Sequence, residues 1–139
     1  MIPIWYHLIM KLITREVDYA VRALGAIARS GVGLSAAGLE KPAGVPRPVL
    51  RKIMQALSRG GITRSSRGRG GGFVLARPAA RISLGDIISA VRGPLKFNDC
   101  VFGGALCHNH RTCLLRGRVA AIERKVLDEV RRVTLADLS

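Results

Sequence analysis

One segment, Val45 to Ala76 (VPRPVLRKIMQALSRGGITRSSRGRGGGFVLA), restricts the folds open to this chain more than any other. Its first half reads as a helix. Pro46 and Pro48 suit a helix start, where a missing N–H costs nothing, and Val49, Leu50, Ile53, Met54 and Leu57 then recur at three- and four-residue steps. Arg47, Arg51, Lys52 and Arg59 fall largely off that stripe, so one face packs while another is basic. Gly60-Gly61 ends the helix. The second half reads as a hairpin: Ile62 to Ser66 and Gly72 to Ala76, joined by Arg67-Gly68-Arg69-Gly70-Gly71, whose glycines supply the positive backbone dihedrals of a tight tip.

Charge gives this helix and hairpin a purpose. Between Glu40 and Asp86 there are ten Lys or Arg and no Asp or Glu, in a chain of formal net charge +14. A solvated protein face normally mixes signs. Ten positive charges without compensation repel one another unless a polyanion is the intended neighbour. A basic helix followed at once by a basic hairpin is how a winged helix-turn-helix addresses double-stranded DNA, with the helix in the major groove and the wing on the backbone or in the minor groove.

The preceding residues complete that expectation. Thr14 to Gly31 reads as a helix capped by Thr14, with Val17, Ala20, Val21, Leu24, Ile27 and Ala28 as its buried stripe and Asp18 beside it. Ser35 leads a short helical segment, Leu34 to Leu39, and Pro42 with Gly44 make a turn before Val45. After the hairpin, Arg77-Pro78 breaks the strand, and Ser83 with Asp86 has capping-box spacing for a helix from Leu84 to about Arg92. That helix offers Leu84, Ile87, Ile88 and Val91 to the core, and Gly93-Pro94 stops it. Residues 10–93 are thus one DNA-binding unit, mostly α with a small β-hairpin.

Helical periodicity is lost from Leu95 to Thr112, and all three cysteines fall at its edge and within it: Cys100, Cys107 and Cys113 lie inside fourteen residues. An odd number of thiols argues against a secreted disulfide scaffold, and three in a polar, Gly-containing loop make poor core residues. They suit a soft metal centre, with Phe102 to Ala105 allowing close backbone approach. There is no CxxC pair and no zinc-finger spacing, which weakens structural zinc. His108 and His110 are further possible ligands. Three thiolates leave an iron–sulfur cluster one ligand short, and a labile fourth position suits a sensor better than an electron carrier.

From Cys113 to about Thr134 the chain reads as a long helix, with Leu115, Val119, Ile122, Val126, Val130 and Val133 as a narrow apolar seam among charged residues. A seam of that kind at the end of a small DNA-binding domain is a natural dimer contact. The division is therefore 10–93 for the winged domain, 94–112 for the cysteine loop, and 113–139 for a dimerisation helix and tail. No apolar run reaches the roughly 18 residues of a membrane span. The opening MIPIWYHLI lacks the flanks of a signal peptide, so a cytoplasmic location with no membrane partner is expected.

These pieces together resemble the IscR/NsrR/CymR-type winged-helix transcription regulators. The resemblance runs from Met10 to about Leu138 and rests on MKLITREVDYAVRAL, VPRPVLRKIMQAL, SRGRGGGFVLARP, ISLGDIISAVRGP and the three-cysteine loop. It implies a homodimeric regulator, as a rule a repressor, that senses redox state, nitric oxide or iron–sulfur status. Its C-terminal helices would pair across the two-fold axis. It places Arg47 to Lys52, Arg51 included, towards the major groove and the wing residues Arg67, Gly68 and Arg69 at the minor groove. Cys100, Cys107 and Cys113 match the cluster cysteines of a [2Fe-2S] or [4Fe-4S] centre. Asp18 sits where nitric-oxide-sensing members place an acidic fourth ligand, delivered from the first helix of the partner subunit.

There are departures from the family pattern. The interval between the first two cysteines is one residue longer than in the best-known members, and Arg116 occupies the position of a histidine ligand in the iron–sulfur biogenesis regulator. Arg51 replaces a base-reading glutamate, which turns a preference for cytosine into one for guanine. Two alternatives remain: an RNA-binding protein using RGRGGG, or a DNA-binding regulator whose cysteines hold zinc or act as a thiol switch. An enzyme is not expected, since no GxxxxGK[ST], nucleophile elbow or paired acid–base constellation is present.

Overall fold

A computed structural model describes residues 13–67, 71–94 and 112–139. Helix α1 (Arg15–Ser30) starts where Thr14 accepts a hydrogen bond from the Val17 N–H at 3.4 Å, and ends at Gly31 with φ 67°. Its buried surface is wider than a single stripe. Ala23, Gly25 and Ala26 join Val17, Ala20, Leu24 and Ile27 inside, while Val21 and Ala28 are only half-buried. The physical reason is position: α1 is the central helix, and its small residues let neighbours approach on several sides.

Helix α2 (Ala36–Ala43) is capped by Ser35, which accepts from the Gly38 N–H at 3.0 Å. It runs past the expected end at Leu39 and takes Pro42 into its last turn, and Gly44 at φ 66° terminates it. Pro42 costs one backbone hydrogen bond, which is tolerable at a helix end. Helix α3 (Arg47–Arg59) follows after the buried Val45, with Pro46 and Pro48 at its start as expected. Leu50, Ile53, Met54 and Leu57 pack inward, and Arg47, Arg51, Lys52, Gln55 and Arg59 are exposed.

The hairpin consists of β1 (Thr63–Ser66) and β2 (Gly72–Leu75), antiparallel, in a register that pairs Thr63 with Leu75 and Ser66 with Gly72. A third segment joins it unannounced by any sequence pattern. Leu34, between α1 and α2, exchanges two backbone hydrogen bonds with Phe73, at 3.1 and 2.8 Å. This crossing explains Gly72, which has φ 135°; a Cβ there would lie 2.5 to 2.6 Å from the backbone of Leu34 and Ser35. Helix, helix, helix and hairpin form the winged helix-turn-helix.

Helix α4 (Leu84–Arg92) carries the expected capping box: the Ser83 N–H donates to Asp86 and the Asp86 N–H to the Ser83 hydroxyl, both at 3.0 Å. Ile87 and Ile88 are buried, while Leu84 and Val91 are half-buried. Gly60 at the end of α3 meets this helix so closely that a Cβ would lie 2.7 Å from that of Ala90.

Helix α5 (Leu114–Arg132) is long and barely buried. Val130 packs over Gly85 of α4, but Leu114, Leu115 and Ile122 are 86%, 71% and 61% exposed in the single chain, and Val119 and Val126 are half-buried. The helix also stops short of the expected Thr134. Val133 takes an extended conformation, Thr134 and Asp137 form a second capping box, and a last turn, α6 (Leu135–Leu138), folds back. Its attachment is firm: the Leu84 N–H donates to the Val133 carbonyl and the Leu135 N–H to the Ile82 carbonyl, both at 2.8 Å. Leu135 is fully buried in the core shared with α1, α3 and α4. What the sequence places in a tail is therefore part of the winged domain. Among the described residues, no helix is long and apolar enough to cross a membrane.

Candidate nucleic-acid interface

The amphipathic split of α3 determines which side chains can meet a ligand. Its apolar positions are consumed by the core, so Arg47, Arg51, Lys52 and Arg59 have nowhere to go but outward. There is no acidic residue in the first turn of this helix. The wing lies next to it because Gly60-Gly61, with Gly61 at φ 73°, reverses the chain at once. The Ile62 N–H then donates to the Leu57 carbonyl at 2.9 Å, and the buried Thr63 hydroxyl is 2.9 Å from that of Ser58. Helix and wing are thus fixed to each other by local contacts. Arg64 and Arg67 are exposed on the wing side of this unit, whereas Gly68 and Arg69 lie outside the described residues.

The expectation of ten uncompensated positive charges needs correction. The two acids that bound the acid-free stretch each reach back into it: Glu40 pairs with Arg47 at 3.0 Å and Asp86 with Arg77 at 3.6 Å. Arg77 is half-buried: its Nε is buried without a hydrogen-bond partner, while the end of its guanidinium meets Asp86. Arg51, Lys52, Arg59, Arg64 and Arg67 have no carboxylate partner among the described residues. Lys41 and Arg81 have none either but lie off α3 and the wing, so the five make up the free positive field of helix and wing.

Glu40 was not legible as a site residue. It stands at the edge of the basic stretch, and its contact with Arg47 crosses the turn between α2 and α3, where no periodicity points.

The predicted cofactor residues are only partly described. Cys113 sits immediately before α5, half-buried, and makes no capping hydrogen bond. Cys100 and Cys107, like His108 and His110, lie outside the described residues. Asp18 is in the first turn of α1, partly exposed, and pairs with Arg22 at 2.9 Å. Among the described residues no group of three or more His, Cys, Asp or Glu comes together to hold a metal.

Comparison with known proteins adds the following. The family model Rrf2, described as an iron-dependent transcriptional regulator, matches residues 13–139. A protein of Mycobacterium tuberculosis named as an HTH-type transcriptional regulator, Rv1287, is 32% identical over 126 residues, spanning 89% of this chain and 78% of its own length. Among solved structures, CymR of B. subtilis, described as the global cysteine regulator, superposes with a TM-score of 0.74 at 22% identity, over 93% of this chain and 96% of that one. IscR of T. potens superposes with a TM-score of 0.69 at 24% identity, over 91% and 84%. These two likenesses concern the fold.

Proposed function

This chain belongs to the Rrf2 family of transcription regulators, which bind DNA and are not enzymes, and from that premise we propose how it binds and what it senses. Two copies pair through α5 and set two α3 helices into successive major grooves of a double-stranded operator. Arg47, Arg51 and Lys52 face the groove, and Arg67, with Gly68 and Arg69, follows the adjacent minor groove or backbone. The observation that supports this most directly is the set of arginines and lysine on α3 and the wing that have no carboxylate partner among the described residues: Arg51, Lys52, Arg59, Arg64 and Arg67. Such a field is costly in an isolated protein and useful against phosphates.

Cys100, Cys107 and Cys113 are the residues that would hold an iron–sulfur cluster, with Asp18 of the partner subunit as the fourth ligand. The donor chemistry fits: three thiols close in sequence, one of them half-exposed at the start of α5. Asp18 would have to leave Arg22 to serve. When bound, such a cluster supplies a group that reacts with oxidants or nitric oxide at the base of the dimer helix. The protein's own part is mechanical. α5 connects Cys113 at one end to the Ser83–Thr134 bridge of the winged domain at the other, so ordering or releasing the loop shifts the winged domains relative to the pair of α5 helices. Repression follows if the two states differ in operator affinity.

A second reading keeps the DNA-binding part and replaces the cluster by thiol chemistry. The fold likeness to a structure described as a global cysteine regulator favours considering it.

Anaerobic purification with a visible spectrum and iron, sulfide and zinc analysis separates the two. Iron and sulfide in a brown protein, lost in Cys107→Ala with the dimer retained, support the cluster. A colourless protein after failed anaerobic reconstitution supports the thiol switch or zinc. Arg67→Ala should weaken operator binding and lower its salt slope by about 1, as for one lost phosphate contact; an unchanged slope would remove the wing from the interface.

A further inference from the structure

We infer that Glu40 is a positioning residue that presents Arg47 as a guanine-reading side chain. This rests on the reading of α3 as the helix that enters the major groove.

Helix α3 begins at a residue that cannot cap it, since Pro46 has no side-chain acceptor. Glu40, from the preceding helix, takes that place: its Oε1 accepts from the Arg47 backbone N–H at 3.4 Å. Its other oxygen does something a cap does not require. Oε2 accepts from the Arg47 Nε at 3.1 Å and lies 3.0 Å from Nη2, so one oxygen holds one edge of the guanidinium. A guanidinium has five N–H donors in a rigid plane. With the Nε–Nη2 edge held, the adjoining Nη1–Nη2 edge keeps two parallel donors, one N–H from each nitrogen, and that is the fork that matches O6 and N7 of guanine.

Both side chains remain about half exposed, 48% for Arg47 and 40% for Glu40, so the free edge is open to a ligand. Exposed ion pairs contribute little to stability, which leaves orientation as the use of this one. A guanidinium pinned in its plane loses less rotamer freedom on binding than a free one. A charge meant only for phosphate gains nothing from a carboxylate beside it: the acid repels the backbone it is supposed to meet. Arg51, one turn further along α3 and without a carboxylate partner among the described residues, shows the contrast. It is placed to act through charge as well as shape, whereas Arg47 acts through shape.

The two roles for Glu40 differ in sequence dependence: positioning acts at one base pair, a charge or helix staple on every sequence alike. Operators are selected from a randomised duplex library with the full-length protein, and affinities are then measured base by base for the wild type, Arg47→Ala, Arg47→Lys and Glu40→Gln. Arg47→Ala should cost roughly ten- to a hundredfold in discrimination at one G·C pair of each half-site. Arg47→Lys keeps the charge and loses the fork, so it should lose the same discrimination with its salt slope unchanged. Glu40→Gln can still accept the backbone hydrogen bond, so α3 should stay folded by circular dichroism. It should lower discrimination at that same guanine several-fold while binding to random duplex holds or rises, because a negative charge has gone. If Glu40→Gln instead changes affinity for every sequence by the same factor, Glu40 is a charge or a helix staple and the inference fails, although α3 remains the reading helix. If the wild type prefers no duplex sequence, or binds single-stranded RNA better, the reading of α3 fails and this inference with it.

Discussion

Gly72 shows how a single residue can be required by a contact that is distant in sequence. Its φ of 135° would already strain any other residue, and a Cβ would lie within 2.6 Å of the Leu34 carbonyl oxygen and the Ser35 nitrogen. Gly72→Ala should therefore destabilise the fold by at least about 2 kcal/mol, read as a lowered denaturant midpoint, and should loosen the wing. Asp18 is a residue whose position fits two roles. It favours the positive end of α1 and pairs with Arg22, an ordinary structural use, and the same side chain is the proposed fourth ligand. Asp18→Asn in the anaerobically purified protein should keep the fold and alter the visible spectrum if the second role is real; an identical spectrum and nitric oxide response would leave only the first.

The element that matters most beyond the wing is α6, a single turn that anchors the C-terminal end of α5. Leu135 is fully buried among residues of α1, α3 and α4, and two 2.8 Å backbone hydrogen bonds tie its surroundings to Ile82 and Leu84. Leu135→Ala should cost about 3 kcal/mol, in the range of buried leucine truncations, measured by chemical denaturation. A cost near zero would mean that the turn is not held in solution. The capping box of α6 also makes a statement about pH. The Asp137 carboxylate accepts from the Thr134 N–H at 2.8 Å and from its hydroxyl at 2.9 Å, and these hydrogen bonds hold its pKa below the ordinary 3.8. A carboxyl lowered on folding contributes stability above its unfolded pKa and loses it as the pH falls through the folded value. The urea midpoint should accordingly fall below about pH 4, and Asp137→Asn, which cannot titrate, should show a shallower fall.

For the molecule as a whole, α5 poses the question of assembly. Leu115 and Ile122 are 71% and 61% exposed in the single chain, on a helix whose only fully buried residue is Val130. In the proposed dimer these side chains meet their counterparts. Replacing both with Lys should leave the winged domain folded, shift the protein to monomer by sedimentation, and weaken operator binding by more than tenfold, since each half-site then binds alone. A protein that remains dimeric would place the interface elsewhere.

The sequence by itself determined the parts of this protein whose causes lie within a few residues of one another. Thr14, Ser35 and the Ser83–Asp86 box start helices through hydrogen bonds that span three residues, Pro46 and Pro48 flank the start of α3, and Gly31 ends α1; caps are local chemistry and are readable as such. The split of α3 into core and basic faces was readable for the same reason, because helical periodicity is local. The exposure of Arg51 and Lys52 on the outer face of α3 could therefore be expected before any fold was known. The tertiary structure decided what depends on pairs remote in the chain. The Leu34–Phe73 bridge, the return of Leu135 to the core, the close passage that requires Gly72, and the Glu40 carboxylate on Arg47 all join segments across a turn or across most of the domain. Such pairs have no periodic signature, and they form only because the packed helices bring those backbones and side chains within hydrogen-bond reach.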